Sequence, residues 1–210
     1  REGEEKLIVN TRELDCTTFL ETTLALSMTI RNNNSNFNDY LRNLKTIRYR
    51  GGKINAYPSR LHYFSDWIYD KQRMGIIKDI TNQIGGEKWT KTINYMGKHR
   101  NYYNKLKNED FYKTILDQEK NISSRTYHYI PKEKVKSIEH HIQNGDIIAI
   151  TASIKGLDIS HVGFAIQKSG RLHFFHASSD HKKVEITDQP LHDYLKNKKR
   201  HTGIMVLRPI

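Results

Sequence analysis

The chain carries a single cysteine, Cys16, and its neighbours place the sulfur at the start of a helix. Asp15 is suited to cap that helix by accepting backbone N–H bonds, and Thr18 with Glu21 three residues on reads as an alternative capping box. Under either choice Cys16 lies in the first turn, where unpaired N–H groups and the positive end of the helix dipole favour thiolate over thiol. The expected consequence is a nucleophilic sulfur of lowered pKa. A lone cysteine is ordinarily a small buried hydrophobe, so a catalytic reading requires a histidine base delivered from elsewhere in the chain.

Strand alternation offers one. In Ser160-His-Val-Gly-Phe-Ala-Ile-Gln167, His161 shares a face with Gly163 and Ala165, while Val162, Phe164 and Ile166 occupy the other. The small-residue face is where a buried helix is expected to approach closely, bringing His161 to the N-terminal end of the cysteine helix. The next strand, Arg171-Leu-His-Phe-Phe-His-Ala-Ser178, holds His173 and His176 on opposite faces. His176 is the candidate to accept the N–H of the far nitrogen of His161 and so fix its tautomer. His173 is expected to be structural or exposed, and a hairpin slip of one residue reverses the choice. A zinc site would compete for these histidines, but there is no HExxH and no second cysteine, and His140-His141 point in different directions on a helix. A serine hydrolase lacks its Gly-x-Ser-x-Gly elbow. No metal or organic cofactor is expected.

The elements that must position these groups follow from periodicity. In the cysteine helix, Phe19, Thr23, Leu26 and Ile30 form one stripe and Leu20, Leu24 and Met28 a second, which predicts burial on most sides. Residues 1–13 read as a lead-in with little visible chemistry, and 31–36 as a polar loop. A helix is expected over 37–47, ended by Arg48-Tyr-Arg-Gly-Gly52, and another opening after Pro58 or Ser59. Residues 76–81 and 89–96, around Gly85-Gly86, suggest a hairpin. One or two surface helices follow over 99–123 and a short one over 132–142. Strands are expected at 147–152, 160–167, 171–178, 184–186 and 203–208, with Lys168-Ser-Gly170 as a hairpin turn and a helix near 191–197. Helices first and an antiparallel sheet second give an α+β class, in one domain spanning 1–210 with its sheet over 144–210.

At 210 residues the chain is long enough to bury a core without disulfides or metal, and one cysteine rules out an internal disulfide. No stretch approaches the roughly 18 to 20 apolar residues of a membrane span. The start at Arg1, without Met, fits a mature form from which an export signal has been removed. Thirty-five Lys and Arg against 23 Asp and Glu give a formal charge of +12, a surface that attracts polyanions. Apart from Lys196-Asn-Lys-Lys-Arg-His201 the cations are scattered, and no nucleic-acid-binding signature accompanies them. Nucleic acid is therefore not the expected partner; a solvated basic surface is the more economical account, and an anionic bacterial envelope polymer would attract it equally well.

Asp15-Cys16 heading a buried helix, Asn144-Gly-Asp-Ile-Ile-Ala-Ile150, His161-Val-Gly-Phe-Ala-Ile166 and Phe175-His-Ala-Ser178 together resemble the NlpC-type cell-wall cysteine peptidases, a papain-like superfamily. Ile47-Arg-Tyr-Arg-Gly-Gly52, Ser59-Arg-Leu-His-Tyr-Phe-Ser-Asp-Trp-Ile68 and Gly156-Leu-Asp-Ile-Ser-His161 resemble one branch of it, the bacterial N-acetylmuramoyl-L-alanine amidase-like family. The resemblance covers nearly the whole chain. It implies a papain-like (NlpC-type) fold in which the cysteine helix packs on the C-terminal sheet and a helical insertion over about 37–135 shapes the cleft. It further implies an amidase that cuts between the lactyl group of N-acetylmuramic acid and L-alanine in peptidoglycan fragments (muropeptides). Such an enzyme would act as a monomer in the bacterial envelope, periplasmic or secreted. By position, Cys16 would be the nucleophile, His161 the base and then acid, and His176 the orienting residue. Substrate contacts are implied for Asp15, Arg60, Tyr63, Asp66, Asp158 and Ser160, with Arg60 suited to a carboxylate and Asp66 to an amine. Asp-Cys-Thr-Thr stands where the wider superfamily has Asp-Cys-Ser-Gly, which leaves the bond open. The alternatives are a D-glutamyl–diamino acid endopeptidase of the same fold and a non-catalytic basic module for envelope polymer or nucleic acid.

Overall fold

The computed structural model describes residues 4–31 and 36–210; residues 32–35 of the expected polar loop lie outside the described residues. Helix α1 (Cys16–Arg31) starts where Asp15 caps it, and α2 (Phe37–Arg48) starts at Asn36, whose side chain accepts the Asp39 N–H. A buried ion pair joins them. Arg48 donates through Nε to Glu21 Oε2 and through a terminal nitrogen to the Ile8 carbonyl, both at 2.6 Å. The Glu21 and Arg48 side chains are only 2% and 6% exposed, so Glu21 serves this pair and not the alternative capping box with Thr18. Helix α1 buries Phe19, Leu20, Leu24 and Ala25, but Leu26 and Ile30 remain 46% and 69% exposed. It is thus covered on one side rather than on most, because its buried stripe already meets both α2 and the sheet.

The segment after α2 is not purely helical. It contains α3 (Phe64–Arg73), α4 (Tyr95–Lys98) and α5 (Glu109–Ser123), together with strands β1 (Ile77–Asp79), β2 (Glu87–Trp89) and β3 (Tyr127–Pro131). The hairpin expected between the first two strands does not form: β1 pairs with the strand at His201–Pro209, and β2 with β3. Each three-residue strand finds a partner edge elsewhere, so the Gly85-Gly86 turn reverses the chain without joining a ladder. After α6 (Val135–Ile138) come β4 (Ile147–Ala152), β5 (Ile159–Lys168), β6 (Arg171–Ser178), β7 (Lys183–Ile186), α7 (Leu191–Lys196) and β8 (His201–Pro209). Among the described residues one antiparallel eight-stranded sheet results, ordered β2-β3-β8-β4-β5-β6-β7, with β1 also on β8. The molecule is therefore α+β.

The register that matters for the site is set at one turn. Ser169 and Gly170 both have positive φ (52° and 74°), the geometry of a two-residue hairpin whose twist matches the flanking strands. It pairs Lys168 with Arg171 and Ala165 with Phe174. Helix α1 packs on the Val162 and Phe164 face, where Phe19 meets Phe164 and Phe175 edge to face at 5.9 and 5.0 Å. The opposite face carries Ala165 and Phe174 under Leu191 and Leu195 of α7. The small-residue face of β5 is thus not the one α1 uses. A Cβ on Gly163 would lie 2.4 Å from the Phe175 carbonyl oxygen and 2.9 Å from His176 Cβ, so the neighbouring strand itself fills that gap.

The Arg48–Glu21 pair carries a stability prediction. Arg48→Met leaves a buried carboxylate without its partner and is expected to cost about 3–5 kcal/mol in chemical denaturation. Combining it with Glu21→Leu should recover most of the loss. An Arg48→Met variant as stable as the wild type would show that the pair does not hold α1 to α2.

Candidate active site

Asp15 closes the first turn of α1 reciprocally with Thr18: its Oδ1 accepts the Thr18 N–H at 2.7 Å and the Thr18 hydroxyl at 2.8 Å, while Thr18 Oγ1 accepts the Asp15 N–H at 2.9 Å. Cys16 is the next residue, half-buried at the sheet. Its sulfur lies 4.0 Å from the Thr17 hydroxyl oxygen, and the backbone N–H groups of Val162, the residue beside His161 on β5, and of Thr17 act to favour its anion. His161 Nε2 lies 2.6 Å from Nδ1 of His176 on β6. Cys16 and His161 share a cleft of about 1020 Å³, with His176 behind them, 2% exposed. His176 stacks on Phe174 at 4.7 Å, and α7 presents Tyr194 to it at 5.7 Å.

The electrostatics depart from the expectation of a preformed thiolate. Burial pushes the Cys16 thiol up from its ordinary range, and the Asp15 carboxylate adds to the rise; the Val162 and Thr17 N–H groups only partly oppose it. The helix terminus expected to stabilise the sulfur is already satisfied by an anionic cap, and that cap repels a second negative charge. Burial pushes His161 down to about 3, helped by His176, His201 and Lys198, and burial also lowers His176. Both shifts favour the uncharged forms, a thiol at Cys16 and an imidazole at His161.

The structure brings Asp15, Cys16, Arg60, Ser160 and His161 to one cleft. Arg60, just ahead of α3, points a guanidinium that makes no hydrogen bond or ion pair among the described residues. The remaining expected substrate contacts are placed in the framework instead. Tyr63 is buried, donating to Glu119 Oε1 at 2.6 Å and accepting the Met96 N–H at 2.8 Å. Asp66 is buried between Arg50 and Arg125, at 2.6 and 2.7 Å. Asp158 accepts the Ser65 N–H at 2.7 Å, fixing the start of α3 to the turn before β5, and burial raises its carboxyl. Tyr63 and Asp66 are spent on holding the 37–135 segment together, and Asp158 on tying it to the turn before β5. His173 is buried with Nδ1 at 2.7 Å from the Thr187 carbonyl, a structural role as expected.

Sequence reasoning passed over other cleft residues. The lead-in segment from Ile8 to Leu14 forms one wall. It is shaped by Asn10, whose side chain accepts the N–H groups of Arg12 and Glu13 at 3.0 and 3.2 Å, a local turn signal that was available in the sequence. Arg48 reaches the cleft from the end of α2, and Lys182 and Lys183 from the start of β7, with no local pattern to announce them.

A raised thiol pKa means that Cys16 is protonated, and slow to alkylate, at neutral pH. Its iodoacetamide rate should climb only above the ordinary thiol pKa of about 8.5, with no plateau between pH 4 and 7. A low-pH plateau that disappears in His161→Ala would instead demonstrate a resting thiolate–imidazolium pair.

Comparison with known proteins gives the same direction as the geometry. Residues 1–204 match the AmiA-like family, described as N-acetylmuramoyl-L-alanine amidase-like. The chain is similar to a crystal structure of an N-acetylmuramoyl-L-alanine amidase from Bacteroides uniformis, at 39% identity and a TM-score of 0.93 over 100% of this chain and 89% of that one. It is also similar to a Bacteroides fragilis protein provisionally described as a xylanase, at 42% identity and a TM-score of 0.93 over 99% and 91%. A Legionella pneumophila protein shares 25% identity at a TM-score of 0.67 over 93% of this chain and 75% of that one. No curated protein matches the chain. On the extent of these matches, the chain belongs to the N-acetylmuramoyl-L-alanine amidase-like family.

Proposed function

We propose that the chain is a papain-like, NlpC-type cysteine hydrolase of peptidoglycan fragments that cuts the amide between the lactyl group of N-acetylmuramic acid and L-alanine. The observation that carries the reading is the cleft that Cys16, at the head of α1, shares with His161, an imidazole whose Nε2 is tied to His176. With Nε2 engaged, Nδ1 of His161 is left to take the Cys16 proton as the sulfur attacks the amide carbonyl. The Cys16 N–H, among the first of α1 and outside its hydrogen-bond ladder, supplies a donor for the oxyanion. His161 then returns its proton to the leaving L-alanine nitrogen, giving a thioester. Water, deprotonated by the same imidazole, releases the lactyl carboxylate and restores the thiol.

Charge supports a stem peptide as the ligand. Arg12, Arg60, Lys182 and Lys183 line the cleft, and a stem peptide offers carboxylates to them. Family membership favours the envelope of a bacterium as the site of action, and among the described residues no helix is long and apolar enough to cross a membrane. Glycoside hydrolysis fits less well. That chemistry takes two carboxyl groups roughly 5 to 9.5 Å apart across the bond. Glu13 and Asp15 are the acids of the cleft wall, and Asp15 is committed to the helix cap.

Mass spectrometry of defined muropeptides incubated with the wild type and with Cys16→Ala tests the reading. An intact stem peptide beginning with L-alanine should appear with the wild type and be absent with the variant. Cleavage within the stem would keep Cys16 and His161 and reassign the enzyme as an endopeptidase; the absence of any Cys16-dependent product would overturn the proposal. Arg60→Ala should raise KM about tenfold or more while changing kcat little, as expected for a lost charge-assisted hydrogen bond.

A further inference from the structure

His176 is engaged by only one of its two nitrogens. Nδ1 meets His161, whereas Nε2 is buried and makes no hydrogen bond in the structure. If Nδ1 accepts, the proton of His176 sits on Nε2, and that N–H requires an acceptor. His176 lines a second cavity, of about 410 Å³, which is distinct from the cleft of Cys16. Asp180, Glu185, Asp188 and Tyr194 also line it. A space of that size with several polar side chains in its wall can hold water.

The carboxylates are not equivalent. Glu185 lies directly opposite His176 in the β6–β7 ladder, so the two side chains stand on one face of the sheet. Its side chain is 16% exposed and is held by His181 at 2.6 Å and Lys183 at 3.3 Å. Asp180 is 61% exposed and tied to Lys198 at 2.6 Å. Glu185 and Asp180 both act to favour a proton on His176, while His181 and Lys198 oppose it and the Tyr194 ring closes one side.

We infer that Glu185 is a positioning residue for the hydrolysis proposed above: through water in this cavity it takes the hydrogen bond of His176 Nε2–H. That choice leaves His176 Nδ1 bare, obliges His161 to carry its proton on Nε2, and so leaves His161 Nδ1 free to receive the proton of Cys16. The inference rests on the reading of Cys16 and His161 as nucleophile and base. It extends the relay by one carboxylate that never touches substrate.

The tautomers can be read directly by long-range 1H–15N correlation spectra of the imidazole rings at pH 7, and activity by kcat and KM on a muropeptide. In the wild type both His161 and His176 should be Nε2–H tautomers. Glu185→Ala should mix the tautomers and lower kcat by roughly 10- to 100-fold with KM within about twofold, the scale seen when an orienting partner of an active-site imidazole is lost. Glu185→Gln keeps the volume and an accepting oxygen; it should recover part of kcat, and it serves as the test if the alanine variant fails to fold. Asp180→Asn should leave the spectra as they are. Unchanged spectra in both Glu185 variants, a shift caused by Asp180→Asn instead, or a wild-type His161 protonated on Nδ1 would each overturn the assignment. A wild type that shows the expected tautomers and their dependence on Glu185, but is inert on muropeptides, would count against the substrate and support the role of Glu185.

Discussion

The site depends on one short contact, the 2.6 Å hydrogen bond between two imidazoles, His161 and His176, inside the sheet. Two such rings cannot both be charged there, and the same burial that isolates them lowers both. The bond also fixes its surroundings. His176 must come close to β5, which only a residue without a side chain at Gly163 permits, and the Ser169-Gly170 turn must deliver His176 at that level and on that face. Phe174 and Tyr194 then close the apolar side. Sequence choices in a strand, a turn and a helix thus converge on one protonation state.

Cys16, the proposed nucleophile, is governed by a related conflict. A helix start stabilises an anion, but α1 has already used that capacity on Asp15, whose carboxylate closes the first turn. Burial against the sheet adds a larger opposing effect. A thiol that stays protonated at rest is protected from oxidation and stray alkylation, and in the hydrolysis proposed above it becomes a nucleophile only when a substrate carbonyl can take the charge. The cost is that the base must be correctly oriented beforehand, so positioning outweighs intrinsic reactivity here.

The parts of this arrangement that are local in sequence were legible there. Asp15 before Cys16 announces the cap, alternation along 160–167 picks out His161, and the Phe-His-Ala-Ser setting of His176 favours it over His173. What was not legible is decided at long range. The pairing of β1 and β2 depends on the edges that β8 and β3 offer, and a three-residue strand carries too little pattern to name its partner. Asp66 sits in an aromatic, polar block that suggests a binding wall, yet Arg50 and Arg125, 16 and 59 residues away, claim both of its oxygens. Tyr63 and Asp158 are claimed in the same way by Glu119 and Ser65. The type of a residue shows what it can bind; only the fold shows whether it is still available.

Strand β8 lies between β3 and β4 and also carries β1, although it is the latest of the strands in sequence. As the chain leaves the ribosome, α1 and its cysteine are made early, but the sheet they rest on has no centre until residues 201–209 arrive. Before then β3 and β4 present open edges, and β1 has no strand to join. Folding is therefore dominated by non-local pairing and is completed late, with exposed apolar edges that invite chaperone binding in the interval. Vectorial synthesis thereby delays the meeting of Cys16 and His161 in one cleft until the sheet is whole, a timing written into strand order alone.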